Sequence, residues 1–284
     1  MLHLRSQEVA AEEQTEEVEM SKQLDGRTAL VTGGSAGLGV DFADRLAARG
    51  ADVIVVARRE DRLREVVEKL EADHDIKADF VAMDLARPEA AAELYDRVHE
   101  RGYQVDILIN NAGFGIWGEF MDTDWESNEK MLNLDILTPV HLTRLFAEDM
   151  VERGWGRIMQ VGSIGAYQPA PFYGAYSAAK SFILSWGEAI DFELRPHGVS
   201  CTVVNPGVTE TEFFDCAGQT QRTWFQKLSI MDSAKVAEIG VKAMLKQRMT
   251  IVPGFMNAFN TWMTRFLPRR LVRWVAHLTM KDGR

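Results

Sequence analysis

Apolar residues in this chain fall into short unbroken runs, and longer stretches with helical spacing separate them. The runs at 28–32 (TALVT), 52–56 (DVIVV), 78–82, 106–109, 157–161 and 199–204 predict strands, and a short one at 250–252 completes the set. Between them, 38–48, 62–71, 88–101, 125–152 and 175–194 place apolar residues three and four apart and predict helices. Strict alternation of strand and helix implies βαβ units and a parallel sheet. Strands without a polar face imply a sheet covered on both sides. The expected fold is therefore one doubly wound α/β domain with a parallel sheet of about seven strands, helices on both faces and right-handed crossovers.

The runs also divide the chain. Residues 1–24 form a Glu-rich tail, read as solvated or loosely helical, 25–254 carry the βα series, and 255–284 form an amphipathic extension. No basic start and apolar core mark the tail as a signal peptide. No stretch is long and apolar enough to span a bilayer, and the expected compartment is the cytoplasm. The extension mixes Phe259, Trp262, Phe266 and Trp274 with Arg265, Arg269, Arg270 and Arg273. Pro268 should break it into two helices. Such a segment can lie on a membrane surface, cover a cleft or pack against another subunit, and the packing readings are preferred for a soluble chain.

Composition changes the picture mainly by exclusion. A formal net charge of −10 over 284 residues argues against nucleic-acid binding, which needs Lys and Arg to neutralise phosphates. Two cysteines, Cys201 and Cys216, make no disulfide framework, and Cys201 reads as a small core residue. The six histidines show no metal-ligand spacing, and no metal is expected.

Chemistry begins where the first strand ends. The loop Thr32-Gly33-Gly34-Ser35-Ala36-Gly37-Leu38-Gly39 runs from strand into helix. Its glycines let backbone N–H groups approach a pyrophosphate, and the helix N-terminus favours the same anion. The second strand ends in Ala57-Arg58, without the acid that usually holds a ribose 2′-hydroxyl. Arg58 is therefore read as a clamp for a 2′-phosphate, with Ser35 adding a hydroxyl, and the expected cofactor is NADP(H). After the third strand, Asp84, followed by Leu85, can accept from an adenine amino group or cap the next helix.

Tyr176 and Lys180 stand four apart on a predicted helix and share a face. A nearby ammonium favours the phenolate, whose ordinary pKa of about 10 is too high for easy proton transfer near neutrality. Ser163 follows the apolar strand ending at Val161, at the sheet edge where ligands bind in such folds. There it can hydrogen-bond a substrate oxygen.

With the glycine loop, Asn110-Asn111-Ala112-Gly113, Ser163, Tyr176 to Lys180, and Asn205-Pro206-Gly207 with Thr211, the chain resembles the short-chain dehydrogenase/reductase family. The motifs keep the family's order over roughly residues 25–250, nearly the whole core. The resemblance implies a Rossmann domain and a hydride transfer between NADP(H) and a carbonyl or alcohol, with Tyr176 as general acid/base. Ser163 would orient the carbonyl. Lys180 would hold the nicotinamide ribose, and Asn133 would anchor a proton-relay water. Gly33, Ser35, Gly37, Leu38, Gly39, Arg58, Asp84, Leu85, Asn111, Ala112 and Gly113 would line the dinucleotide, and Pro206, Gly207, Val208 and Thr211 would surround the nicotinamide. Ala36 departs from the second basic residue of some NADP members. Phe114, Trp117, Phe172, Phe213 and Phe214 are expected to line an apolar substrate pocket, which suits a bulky steroid-like, polycyclic or acyl ketone. A homodimer or homotetramer is implied. The competing reading is a catalytically silent NADP-binding regulator or scaffold; the full Asn133, Ser163, Tyr176 and Lys180 set speaks against it.

Overall fold

The structure, a computed structural model, describes residues 23–209, 217 and 230–280. Seven strands form one sheet: β1 (Thr28–Thr32), β2 (Asp52–Ala57), β3 (Ala78–Ala82), β4 (Ile107–Asn110), β5 (Gly156–Val161), β6 (Val199–Val204) and β7 (Thr250–Ile251). They are ordered β3-β2-β1-β4-β5-β6-β7, and every neighbouring pair is parallel. All residues of β4, β5 and β6 are buried.

Successive side chains of a strand point to opposite faces, so each run feeds two cores. Val31, Val55 and Ile109 face one layer, where they meet Phe42 and Leu46 of α1 (Leu38–Ala47) and Leu63 of α2 (Glu60–Asp73). Leu30, Ile54, Leu108 and Ile158 face the other. There they meet Leu94 of α3 (Ala90–Glu100) and Phe146 of α5 (Thr138–Glu152). Full burial of each such Leu or Phe contributes about 1.5–3 kcal/mol, so the two layers, not helix propensity, hold the helices in place.

The helices depart from the sequence pattern in two places, and the C-terminal extension follows it. The helix expected over 125–152 is α4 (Trp125–Leu132), a π-turn at Asn133–Leu137, and then α5. In the π-turn the Thr138 N–H bonds to the Asn133 carbonyl five residues back, a register that a 3.6-residue period does not encode. After α6 (Gly174–Leu194) comes α7 (Ser233–Leu245), for which the run analysis predicted no helix. Its signal was present: the Asp232 side chain caps the Lys235 N–H at 2.9 Å, and Val236, Gly240, Val241 and Met244 share one buried face. The extension forms α8 (Phe255–Met263) and α9 (Arg269–Met280), with Pro268 between them.

The order in which strands are added reverses between β1 and β4: β2 and β3 are laid down to one side, β5 to β7 to the other. The carboxyl ends of these two strands therefore flank a crevice, where ligands bind in open parallel sheets.

Candidate active site

That crevice is a cleft of about 640 Å³. Its floor is the glycine loop between β1 and α1. Gly37 has φ +54° at the N-cap of α1, and no side chain caps that helix start. The first-turn amides are thus left for an anion. A Cβ on Gly39 would lie 2.2 Å from the Gly33 carbonyl oxygen, so the loop can fold this tightly only with glycine there. The loop is tied to β4 by Asn111, whose Nδ2 donates to the Thr32 carbonyl at 2.9 Å. Thr32 Oγ1 accepts from the N–H groups of Asn111 and Ala112, each at 3.0 Å.

Every predicted dinucleotide residue within the described part lines this cleft: Gly33, Ser35, Gly37, Leu38, Gly39, Arg58, Asp84, Leu85, Asn111, Ala112, Gly113, Tyr176, Lys180, Pro206, Gly207 and Val208. Thr211, Phe213 and Phe214 lie outside the described residues, as do Cys216 and residues 1–22 of the acidic tail. Arg59, which sequence reasoning passed over, also lines the cleft, and its Nη2 donates to Ser35 Oγ at 3.4 Å. Asp84 caps no helix. Its carboxylate accepts from the Ala86 N–H at 3.0 Å, while α3 starts later, with Glu89 at its N-cap.

The reactive wall is built by α6 and the end of β5. Tyr176 and Lys180 project from one face of α6, with the ammonium 5.6 Å from the Tyr176 ring centre. Lys180 Nζ donates to the Val161 carbonyl at 3.1 Å and forms an ion pair with Asp135 Oδ2 at 3.1 Å. Asp135 is buried and its Oδ1 accepts the Phe114 N–H at 3.1 Å. Ser163 Oγ accepts the Gly165 N–H at 3.0 Å and pairs with Tyr176. The Ser163 N–H in turn donates to Asn205 Oδ1 at 3.3 Å, so β6 positions the serine.

Asn133 begins the π-turn, half-buried and outside the cleft lining, and Asp135 two residues on meets Lys180. A single acid inside the apolar run Leu132-Asn-Leu-Asp135-Ile-Leu137 was the available signal. Gly113 makes the approach feasible: a Cβ there would lie 2.9 Å from Asp135 Oδ1 and 3.2 Å from Lys180 Nζ.

Opposed charges set the proton affinities. Burial works against the Lys180 ammonium, but Asp135 and Tyr176 outweigh it and hold the lysine above its ordinary range. Burial raises the Tyr176 phenol; Lys180 pulls it down, Asp135 pushes it up, the Ser163 hydrogen bond pulls it down, and the net is upward.

Of the predicted substrate residues, Phe114 lines the cleft. Trp117 and Phe172 stand behind it, stacked at 5.7 Å between centroids, and Trp117 packs against the cluster of Ala170 and Tyr173. Phe172 holds a left-handed φ of 69°, a strained backbone for a non-glycine residue, and its other face meets His277 of α9 at 5.5 Å. Thr279 and Met280 of α9 enter the cleft lining, in keeping with the cleft-covering reading of the extension, though no local pattern singled out these two residues.

A sequence profile of the short chain dehydrogenase family matches residues 27–222. A ketoacyl reductase of a Nostoc species is 33% identical over 86% of this chain and 84% of its own. A very-long-chain 3-oxoacyl-CoA reductase of Pyricularia oryzae is 35% identical over 63% of this chain, which spans only 55% of that relative's length. Among solved structures, a short-chain dehydrogenase from Sphingobium yanoikuyae in complex with NADPH superposes with a TM-score of 0.75 at 27% identity, over 84% of this chain and 94% of that one.

Proposed function

The chain belongs to the short chain dehydrogenase family, an oxidoreductase family, and on that premise we propose that it is an NADP(H)-dependent reductase of bulky apolar ketones, acyl ketones among them. The observation that carries the reading is the convergence of Ser163, Tyr176 and Lys180 on one wall of the glycine-loop cleft, with Lys180 paired to the buried Asp135.

The residues present fit a phosphorylated dinucleotide. The uncapped start of α1 and the loop amides suit a pyrophosphate, and a Cβ on Gly33 would crowd Asn111 Nδ2 at 2.7 Å. Arg58, Arg59 and Ser35 offer a cationic, hydroxyl-bearing corner at the end of β2, suited to a 2′-phosphate. When bound, the nicotinamide supplies or accepts the hydride.

The chain's own groups handle the proton. Ser163 Oγ accepts from Gly165 and pairs with Tyr176, so its hydroxyl stands beside the phenol, where it can turn to donate to a substrate oxygen. Tyr176, protonated at neutral pH, gives its proton to the developing alkoxide. Lys180, fixed by Val161 and Asp135, holds the tyrosine's surroundings positive and offers donors to a ribose. Phe114 and Met280 keep the cleft apolar, and the 3-oxoacyl relatives act on substrates of that character.

Oxidation of NADPH followed at its nicotinamide absorbance, across ketones of increasing size, tests the reading. Tyr176→Phe should reduce turnover by about 10³-fold while NADPH binding changes little. Turnover that survives this substitution would remove Tyr176 from the mechanism.

A further inference from the structure

Helices α8 and α9 expose more apolar surface than an ordinary surface helix, and α8 is turned inside out. On α8 the polar Asn257 and Thr261 are buried, while Phe255, Met256, Phe259 and Trp262 are exposed, Phe255 by 82%. Asn257 is the anchor: its Nδ2 donates to the Pro253 carbonyl at 3.1 Å, and its side chain abuts Gly207 at the cleft. On α9, Val272 and Ala276 face inward, and Leu271, Trp274, Val275 and Leu278 form an exposed stripe at i, i+3, i+4 and i+7. Phe266 and Leu267 between the helices are exposed as well. Exposed apolar side chains in this number on two successive helices are unfavourable in water unless something covers them.

Charge identifies the cover. Residues 255–280 hold Arg265, Arg269, Arg270 and Arg273 and no acidic residue, in a chain whose formal net charge is −10. All four arginines are exposed beside the apolar stripe. Two copies of this face brought together about a twofold axis would oppose arginine to arginine. Exposed aromatic rings beside arginines match the interface of a lipid bilayer, where rings sit among headgroups and guanidinium groups meet anionic lipid. No helix among the described residues is long and apolar enough to cross a membrane, so the contact is peripheral.

We propose that α8 and α9 dock this protein onto an anionic lipid surface. The same α9 turns Thr279 and Met280 into the cleft and His277 onto Phe172. Docking therefore sets the cleft mouth beside the bilayer, where an apolar ketone partitions. This last consequence rests on the proposed reductase function; the docking itself does not.

The test is co-sedimentation of the full chain with vesicles of phosphatidylcholine alone and of phosphatidylcholine with about one-third phosphatidylserine, at low and high salt. The protein is expected to sediment with the anionic vesicles and to be released by salt. Replacing Arg269, Arg270 and Arg273 together by Gln should weaken partitioning on the order of a hundredfold. Trp262→Ser with Trp274→Ser should abolish it, with thermal unfolding unchanged in either variant. Failure to bind either vesicle overturns the proposal, and so does binding indifferent to salt and to the arginines. A solution mass that falls from dimer to monomer in the tryptophan variant would assign the face to a second copy and also overturn it. None of these readouts depends on activity, so loss of the reductase reading leaves them intact.

Discussion

Tyr176 sits between a cation that lowers its proton affinity and an anion that raises it. Burial is the chief reason the phenol stands above its ordinary value; Lys180 pulls it down, and Asp135, paired to that lysine at 3.1 Å, opposes that pull. A tyrosine held above its ordinary value is a proton donor through the neutral range and becomes a base only at alkaline pH. Ketone reduction should therefore be flat through neutrality and fall as pH rises past the Tyr176 pKa, while alcohol oxidation should rise over the same interval. Asp135→Asn removes an upward contribution, so the alkaline onset of oxidation is expected at lower pH in that variant. An unmoved pH profile would mean that Asp135 only packs. The second residue-scale prediction concerns the cofactor. Arg58→Ala should weaken NADPH by about 10–100-fold, the worth of a charge-assisted hydrogen bond, with little effect on NADH. Because Arg59 shares the corner through Ser35, Arg59→Ala is expected to have a smaller effect of the same sign, measured as Kd for both cofactors. Equal weakening of NADPH and NADH would end the clamp assignment.

At the scale of elements, the π-turn is the feature that shapes the site. It inserts an i→i+5 bond at Asn133, and Asp135 within the same turn meets Lys180. The opposite wall of that contact is the turn after β4, where Gly113 has no side chain to obstruct it. Gly113→Ala should push the Asp135–Lys180 pair aside by a few tenths of an ångström. The expected cost is about 10–100-fold in kcat, with cofactor affinity nearly unchanged. A normal kcat would show that the wall yields without consequence. The strands were legible in advance because a strand buried on both faces must be apolar throughout. The ends read from the sequence at 28–32, 78–82 and 199–204 are those of β1, β3 and β6. The π-turn was not legible, since an apolar period near 3.6 is the same whether one turn is α or π.

At the scale of the whole molecule, two groups of exposed apolar side chains among the described residues bear on what the protein meets. One is the α8–α9 face. The other comprises Leu137 in the π-turn and Phe182 and Phe192 on α6, the last exposed by 81%. These belong to the elements that carry the proposed catalytic cluster, and a second copy packing there would brace them. Phe192→Asp is expected to shift the solution mass of the protein toward the monomer, as measured by light scattering, without releasing it from anionic vesicles. A variant mass identical to the parent's would exclude this helix face as the subunit contact.

The amino-acid sequence by itself determined the βα alternation, the glycine loop, the serine after β5 and the Tyr176–Lys180 pair. Each of these depends only on local periodicity or on residues a fixed few positions apart. Tertiary structure decided which acid meets the lysine, which of two adjacent arginines reaches Ser35, and that Thr279 and Met280 close the cleft far from it in the chain. It also decided that α8 buries its polar side and exposes its apolar one, because a helix's outward face is set by what packs against it, and spacing along the chain carries no record of that.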